Sequence, residues 1–156
     1  MTPAIDLLRT LGIAHTVMEY DHDPDHPSFG AEAVEALGVS SDSVFKTLMV
    51  TLDDGSHAIG VVPVEAMLDL KAIAAAAGAK RARMTDPEIA ERRSGYVVGG
   101  ISPFGQKHVV PTFVDEWATA LDDVHCSAGR RGLEVRVAPD AFAIALDATF
   151  APIASW

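Results

Sequence analysis

A single lysine interrupts the apolar stretch at residues 44–52, VFKTLMVTL. In a β-strand, where side chains alternate between faces, Lys46 shares its face with Leu48 and Val50. An ammonium group among apolar side chains must reach an anion or water, or lose its charge, because its desolvation costs free energy. Lys46 is therefore either a ligand for an anionic or polarised group, or a strand-end lysine that extends to solvent.

The segment at residues 95–108, GYVVGGISPFGQKH, contains four glycines and one proline. Gly99 and Gly100 have no Cβ, so their backbone N–H groups can approach a ligand closely. Pro103 restricts the far side of this loop and removes one N–H donor. Backbone amides in such a loop suit a carbonyl oxygen, a developing oxyanion or a phosphate. The alternative is a structural bulge between two strands.

Other types of catalytic site find little support in the sequence. The chain has no phosphate-loop motif, dinucleotide-binding fingerprint or Gly-x-Ser-x-Gly elbow, and we expect no cofactor. His22 and His26 are four apart but lie in the proline-containing loop 21–27, so we expect no metal there. Cys126 follows His125 directly, and neighbouring strand residues point to opposite faces. We therefore predict a buried structural thiol.

The composition is that of a soluble globular protein, with 49% hydrophobic and 22% charged residues among 156. We expect one domain, 1–156, in the reducing cytoplasm, because a single cysteine permits no internal disulfide. No apolar run is long enough for a membrane span, and the N-terminus does not resemble a signal peptide. The net charge of −10 argues against general nucleic-acid binding. However, ten of the twelve lysines and arginines follow residue 70, so a local basic face is compatible with the sequence.

Caps and hydrophobic periodicity predict alternating helices and strands. The fold class is α+β: a single domain with a mixed, mostly antiparallel β-sheet or barrel flanked by helices. The predicted helices are 3–11, 28–37, 68–77, 87–94 and one from 140 onward. The predicted strands are 13–20, 44–52, 57–62, 96–98, 108–114, 125–127 and 133–137, the second and third of them joined by an Asp-Asp-Gly hairpin turn.

Several short segments together carry a family resemblance that covers nearly the whole chain. They are 20–24 (YDHDP), 44–48 (VFKTL), 62–63 (VP), 68–71 (LDLK), 95–103 (GYVVGGISP), 105–107 (GQK) and 127–134 (SAGRRGLE). On these segments the chain resembles the YbaK/EbsC family of free-standing aminoacyl-tRNA deacylases, relatives of the editing domain of bacterial prolyl-tRNA synthetases. The strand lysine and the Gly-x-x-x-Pro loop are the most specific parts of the resemblance.

The resemblance implies an enzyme of translation proofreading that removes cysteine from mischarged tRNA for proline. It implies that Lys46 is required for activity, and Glu134 stands where the family commonly has aspartate. The implied catalytic residues are Lys46, Gly99, Gly100, Ile101, Ser102 and Pro103. The implied substrate-binding residues in the pocket are Tyr20, Ser127 and Glu134. Among the basic residues late in the sequence, we expect Arg130, Arg131 and Lys107 in particular to contact the acceptor stem of the tRNA.

The resemblance also implies a mechanism without a protein nucleophile, in which the thiol of the substrate cysteine attacks its own ester. Two alternatives stay open at this point: hydrolysis of alanyl-tRNA for proline by water, and a non-catalytic module that binds a tRNA 3′ end or a synthetase. The implied partners are the acceptor end of mischarged tRNA and prolyl-tRNA synthetase, with no role for a membrane.

Overall fold

A computed structural model describes residues 1–26 and 28–156, so Pro27 of the predicted loop 21–27 lies outside the described residues. The helices are α1 (Pro3–Thr10), α2 (Phe29–Leu37), α3 (Leu70–Ala76), α4 (Pro87–Ser94) and α5 (Asp140–Leu146). The strands are β1 (His15–Glu19), β2 (Phe45–Leu52), β3 (His57–Pro63), β4 (Met67–Leu68), β5 (Ala82–Met84), β6 (Thr112–Asp115), β7 (Val124–Arg130), β8 (Leu133–Val137), β9 (Thr149–Ala151) and β10 (Ala154–Ser155).

Local signals account for most of the element boundaries. Thr2 caps α1 by accepting a hydrogen bond from the N–H group of Ile5, and Ser28 caps α2 in the same way. Gly38 ends α2 in the left-handed conformation. The predicted hairpin joins β2 and β3 as antiparallel neighbours, with Gly55 at a φ of 86° in the turn.

The predicted strand 13–20 shortens to β1 and the predicted strand 125–127 lengthens to β7, and three further predicted elements differ for identifiable reasons. The predicted helix 68–77 starts later, because Leu68 belongs to β4 and Asp69 caps α3. The predicted strand 96–98 is wrong: the Val98 N–H group donates to Glu91, and Val97 accepts from Gly100 in a turn. The predicted strand 108–114 shortens to β6, since the N–H group of His108 donates to the end of α4.

The strands form three sheets, with the orders β5-β2-β3-β6-β9, β1-β8-β7 and β10-β4. Among the described strands, the pairings are antiparallel except β3 with β6 and β6 with β9, and Val44 forms an isolated parallel bridge with His125. The predicted mixed, mostly antiparallel α+β fold is therefore confirmed, but the described strands do not close into a barrel. None of the described helices is long and apolar enough to cross a membrane.

The hydrophobic core lies on both faces of the five-stranded sheet. Phe45 and Met49 of β2 belong to a cluster with α1, α5 and the three-stranded sheet. Val50 and Leu52 belong to a second cluster with Ile73 of α3. The two clusters follow the alternation of side chains along β2, which places Lys46 on the face of Leu48, Val50 and Leu52 as predicted.

Candidate active site

A cavity of about 470 Å³ lies between β2, the start of α2, the β7–β8 hairpin and the glycine-rich loop. This volume is in the range of small-molecule binding sites. The predicted site residues that line it are Tyr20, Lys46, Gly99, Ile101, Ser127, Arg130, Arg131 and Glu134. The predicted residues that do not line it are Gly100, Ser102, Pro103 and Lys107.

Lys46 projects from β2 into this cavity and is partly buried. Burial lowers the pKa of its ammonium group, because the charged form loses hydration. Within the described chain, no carboxylate lies within 4.0 Å of Lys46. The lysine is therefore available to an anionic or polarised group that enters the cavity.

Glu134 of β8 is the most strongly perturbed acid in the cavity. Its side chain is buried, and desolvation raises the pKa of Glu134 to about 8. Its buried Oε2 has no hydrogen-bond partner in the described part of the chain. At neutral pH the carboxyl group is mostly protonated, so it can donate as well as accept a hydrogen bond. Burial, followed by the proximity of Glu134, also raises the pKa of Tyr20.

The glycine-rich loop contributes Gly99 and Ile101 to the cavity wall. Gly99 has a φ of 95°, and a Cβ there would come within 2.8 Å of the Phe29 ring. The N–H group of Gly100 donates to the carbonyl of Val97, so it is not available to a ligand. In contrast, the N–H groups of Gly99 and Ile101 have no acceptor among the described residues.

Gly100 packs against protein backbone and not against the cavity. A Cβ at Gly100 would lie 2.7 Å from the Cα of Arg130. The hydroxyl of Ser127 donates to the carbonyl of Gly100 at 3.0 Å and accepts from the N–H group of Gly129 at 3.1 Å. Ser127 therefore ties the loop to the irregular end of β7, where the register with β8 shifts.

Ser102 and Pro103 are buried behind the cavity wall. The Ser102 hydroxyl accepts a hydrogen bond from the N–H group of Phe104 at 3.2 Å, and its carbonyl accepts from the Gln106 side chain. Lys107 is exposed, away from the cavity lining. These contacts give Ser102 a role in shaping the loop.

Arg131, in the cavity lining, contacts two residues that the sequence did not identify as site residues, Phe29 and Glu32. The Arg131 guanidinium lies 3.8 Å from the centroid of the Phe29 ring, and its Nη2 is 3.6 Å from Glu32 Oε1. Burial would raise the pKa of Glu32, but hydrogen bonds from His22 and the Asp23 N–H group, with Arg131 nearby, lower it overall. The cap signal at Ser28 identified α2, but no local pattern indicated these long-range pairs.

Cys126 is fully buried, as predicted, and it does not line the cavity. Burial raises the pKa of its thiol well above the ordinary value, which disfavours the nucleophilic thiolate. His125 faces Ser43 instead, with Nδ1 at 3.5 Å from the hydroxyl oxygen. In the described chain, His22 and His26 pair with Glu32 and Glu35, and no group of three or more metal-ligating side chains is present.

Comparison with known sequences places these features in a family. The family model described as aminoacyl-tRNA editing domain matches residues 24–143. The putative Cys-tRNA(Pro)/Cys-tRNA(Cys) deacylase EbsC of Enterococcus faecalis (strain ATCC 700802 / V583) is 33% identical over 153 residues, which cover 97% of this chain and 92% of that protein. The proline–tRNA ligase of Shouchella clausii (strain KSM-K16) is 32% identical over 127 residues, which cover 81% of this chain but 22% of the ligase.

A solved structure shares the fold along the full length of the chain. The crystal structure of a putative trans-editing enzyme for prolyl tRNA synthetase superimposes with a TM-score of 0.85 and 22% identity. The match covers 100% of this chain and 99% of that one.

Proposed function

Because this chain belongs to the family of aminoacyl-tRNA editing domains, we propose that it hydrolyses the ester of mischarged tRNA, with cysteinyl-tRNA for proline as its main substrate. The observation that carries the proposal is that Lys46, Glu134, Gly99 and Ile101 line one cavity. A cation, a polar acid and N–H donors complement an aminoacyl ester and its adjacent phosphate. The activity named for the Enterococcus relative supports the choice of cysteine.

In this proposal, each side chain of the cavity has a separate role. Lys46 pairs with the phosphate of the terminal nucleotide, whose negative charge offsets the desolvation of the ammonium group. The N–H groups of Gly99 and Ile101 donate to the ester carbonyl and to the oxyanion that develops from it. One such donor contributes about 3 kcal/mol to the transition state. Tyr20 and Glu134 contact the amino acid.

The nucleophile in this proposal is the thiol of the substrate. Its sulfur bonds to the carbonyl carbon, the bond from that carbon to the ribose oxygen breaks, and the thiol proton ends on the ribose hydroxyl. Water then opens the resulting four-membered thiolactone to give free cysteine. Two observations support this route: Cys126 is buried outside the cavity, and the Ser127 hydroxyl is already engaged by Gly100 and Gly129. Confinement of the thiol beside its carbonyl supplies the rate enhancement.

The test is a deacylation series on one tRNA for proline charged with cysteine, serine or alanine. We expect cysteine to be released fastest. Seryl-tRNA is nearly isosteric but should react much more slowly, because a hydroxyl is a far weaker nucleophile at neutral pH.

Two results would contradict the proposal. Equal turnover of the cysteine and serine esters would argue for attack by water or by a protein group. Binding of all three tRNAs without turnover would instead identify a non-catalytic module.

The partner we propose is prolyl-tRNA synthetase, in the cytoplasm. The 127-residue similarity to a proline–tRNA ligase supports a shared substrate. Addition of the synthetase to the deacylation assay should increase the rate if it delivers the tRNA, and an unchanged rate would argue for independent capture.

A further inference from the structure

Two arginine side chains, Arg83 of β5 and Arg93 of α4, both lie near His57 of β3. Across the sheet, Thr51 of β2 lies opposite both His57 of β3 and Arg83 of β5, which puts all three side chains on one face. Burial, followed by the charges of Arg93 and Arg83, lowers the pKa of His57, so Arg93 also lies near this point. This local positive charge contrasts with the net charge of −10.

Lys107 extends the same cationic surface at the end of α4. Its N–H group donates to the carbonyl of Ser94, and its Cβ lies 3.3 Å from the position that a Cβ on Gly95 would take. The next N–H group, of His108, donates to the carbonyl of Arg93. The chain therefore returns along the end of α4 and places Lys107 beside Arg93.

These cations are not neutralised within the protein. In the described part of the chain, no carboxylate lies within 4.0 Å of Arg83, Arg93 or Lys107, and the buried Nε of Arg93 has no partner. Arg131 differs, because it is paired with Glu32 and packed on Phe29. A polyanion outside the protein therefore finds free cations beside β5 and α4, whereas Arg131 is already engaged.

The basic surface is continuous with the cavity wall. Thr85 lines the cavity, and its hydroxyl lies 2.9 Å from that of Thr51, which shares its face with Arg83; Ala90 lines the cavity one helical turn before Arg93. The segment that follows Tyr20, another residue of the cavity lining, carries Asp21, Asp23 and Asp25 (sequence DHDPD), which would repel phosphates. A polyanion with one end in the cavity is thus directed across β5 and α4.

We propose that the acceptor stem of tRNA lies across this surface, which we call the β5–α4 face and define by Arg83, Arg93 and Lys107. Thr47 lines the cavity and lies on the same face of β2 as Thr51, four residues further along the strand, or about 13 Å away. With a rise of about 3.4 Å per nucleotide in a stacked strand, this distance spans about four nucleotides. The β5–α4 face therefore contacts phosphates that lie several nucleotides upstream of the 3′-terminal nucleotide, which carries the ester.

The experiment measures binding of an uncharged acceptor-stem RNA hairpin by fluorescence anisotropy at several salt concentrations. The test variant is Arg83→Glu with Lys107→Glu, since both side chains are exposed. We expect binding to weaken about tenfold or more, and the slope of log K against log salt to fall by about one for each phosphate that is no longer bound. Lys71→Glu is the matched control: Lys71 is exposed on α3, which packs on the other face of the sheet.

The outcomes separate this inference from the proposed function, on which it rests for the identity of the RNA. If the double variant binds with the wild-type affinity and salt slope, the β5–α4 face is not the RNA surface. The same conclusion follows if Arg130→Glu weakens binding and the double variant does not. Melting curves for every variant, and the single variant Arg83→Ala, distinguish a direct effect on RNA binding from unfolding. Uncharged RNA contains no ester, so the binding result does not depend on whether the cavity deacylates cysteinyl-tRNA.

Discussion

Glu134 and Lys46 carry opposite charges in water, and burial in the cavity shifts both toward their neutral forms. The pKa of Glu134 rises to about 8 and that of Lys46 falls, in both cases because the ion loses hydration. No ion pair within 4.0 Å links either residue to a partner in the described chain. An aminoacyl nucleotide brings an ammonium group and a phosphate, so its binding would restore charge to both side chains.

Replacement of Lys46 by alanine should abolish deacylation and leave the melting temperature unchanged or slightly higher. The physical reason is that a partly buried ammonium without a partner costs free energy in the folded protein. Deacylation rates and thermal melts of Lys46→Ala check this, with Lys71→Ala as the exposed control. An activity loss that only tracks unfolding would make Lys46 structural.

Glu134 should make the protein less stable as the pH rises. Its folded pKa of about 8 exceeds the ordinary value of 4.5, so the folded state binds the proton more tightly. The contribution of Glu134 to the free energy of unfolding is therefore fully present below pH 4.5, and it is lost as the pH rises toward 8. At about 1.4 kcal/mol for each pKa unit, the upper limit is on the order of 5 kcal/mol.

Urea unfolding of the wild type and of Glu134→Gln at pH 5 and pH 8.5 measures this effect. The decrease in stability between the two pH values should be smaller in the variant by a few kcal/mol, since glutamine does not ionise. The same pH dependence in both proteins would mean that the pKa of Glu134 is not shifted.

Cys126→Ser should lose stability but keep most of its activity on cysteinyl-tRNA. The thiol is fully buried in the apolar cluster beside β7, where an unpartnered hydroxyl costs about 1–3 kcal/mol. The cavity itself is not changed, because Cys126 does not line it. Turnover per folded molecule is the quantity to compare, and an inactive variant with an intact fold would assign Cys126 a chemical role.

The glycine-rich loop and the β7–β8 hairpin behave as one structural unit. Ser127 joins them through the carbonyl of Gly100, and the Tyr96 hydroxyl donates to the carbonyl of Phe104 across the loop. Desolvation raises the pKa of Tyr96 to about 12, so this donor keeps its proton. The absence of a Cβ at Gly100 thus serves the contact with the backbone of Arg130.

Gly100→Ala should lower stability by about 1–3 kcal/mol and reduce activity, because the added Cβ displaces the hairpin backbone that carries Arg130. The sequence alone favours a different outcome, in which the Cβ blocks the ester directly and lowers activity more than stability. Chemical denaturation and deacylation of Gly100→Ala decide between the two. Gly78→Ala is a control for loss of stability alone: Gly78 has a left-handed conformation that strains alanine (φ 73°) and lies outside the cavity, so only stability should fall. Full stability of Gly100→Ala without activity would support the direct block.

The cavity depends on how the sheets and helices pack as a whole. The cavity lies where the part of β2 before Val50, which is not paired with β5, faces the three-stranded sheet. Both β2 and the three-stranded sheet contribute to the larger hydrophobic cluster. The loop enters that cluster through Phe104, whose ring stacks on Phe142 of α5 at 5.3 Å between centroids. The packing of the hydrophobic core therefore affects the position of the glycine-rich loop through the contact between Phe104 and Phe142.

Phe142→Ala should destabilise the protein by about 3–5 kcal/mol, because it leaves a void in a fully buried site. It should also reduce deacylation in the remaining folded protein, since Phe104 loses its support. Ile144→Ala on the same helix is the control, as Ile144 is 62% exposed. Urea unfolding and activity at low temperature check both parts, and a stable, fully active Phe142→Ala would show that α5 does not support the loop.

Features that depend on neighbours along the chain follow from the amino-acid sequence without the fold. Thr2 and Ser28 as helix caps, the turn at Gly55 and the face of Lys46 result from local geometry, and all agree with the structure. Short motifs with fixed spacing also carry the family resemblance.

Features that depend on distant residues emerge only when the chain has folded. The strand predicted at 96–98 forms turn and side-chain hydrogen bonds instead, and Gly100 meets Arg130 rather than a ligand. The pairing of Arg131 with Glu32 joins residues far apart in the chain. The pKa of Glu134 depends on the burial that surrounding elements impose, because hydration is lost only when the whole fold closes around the carboxyl group.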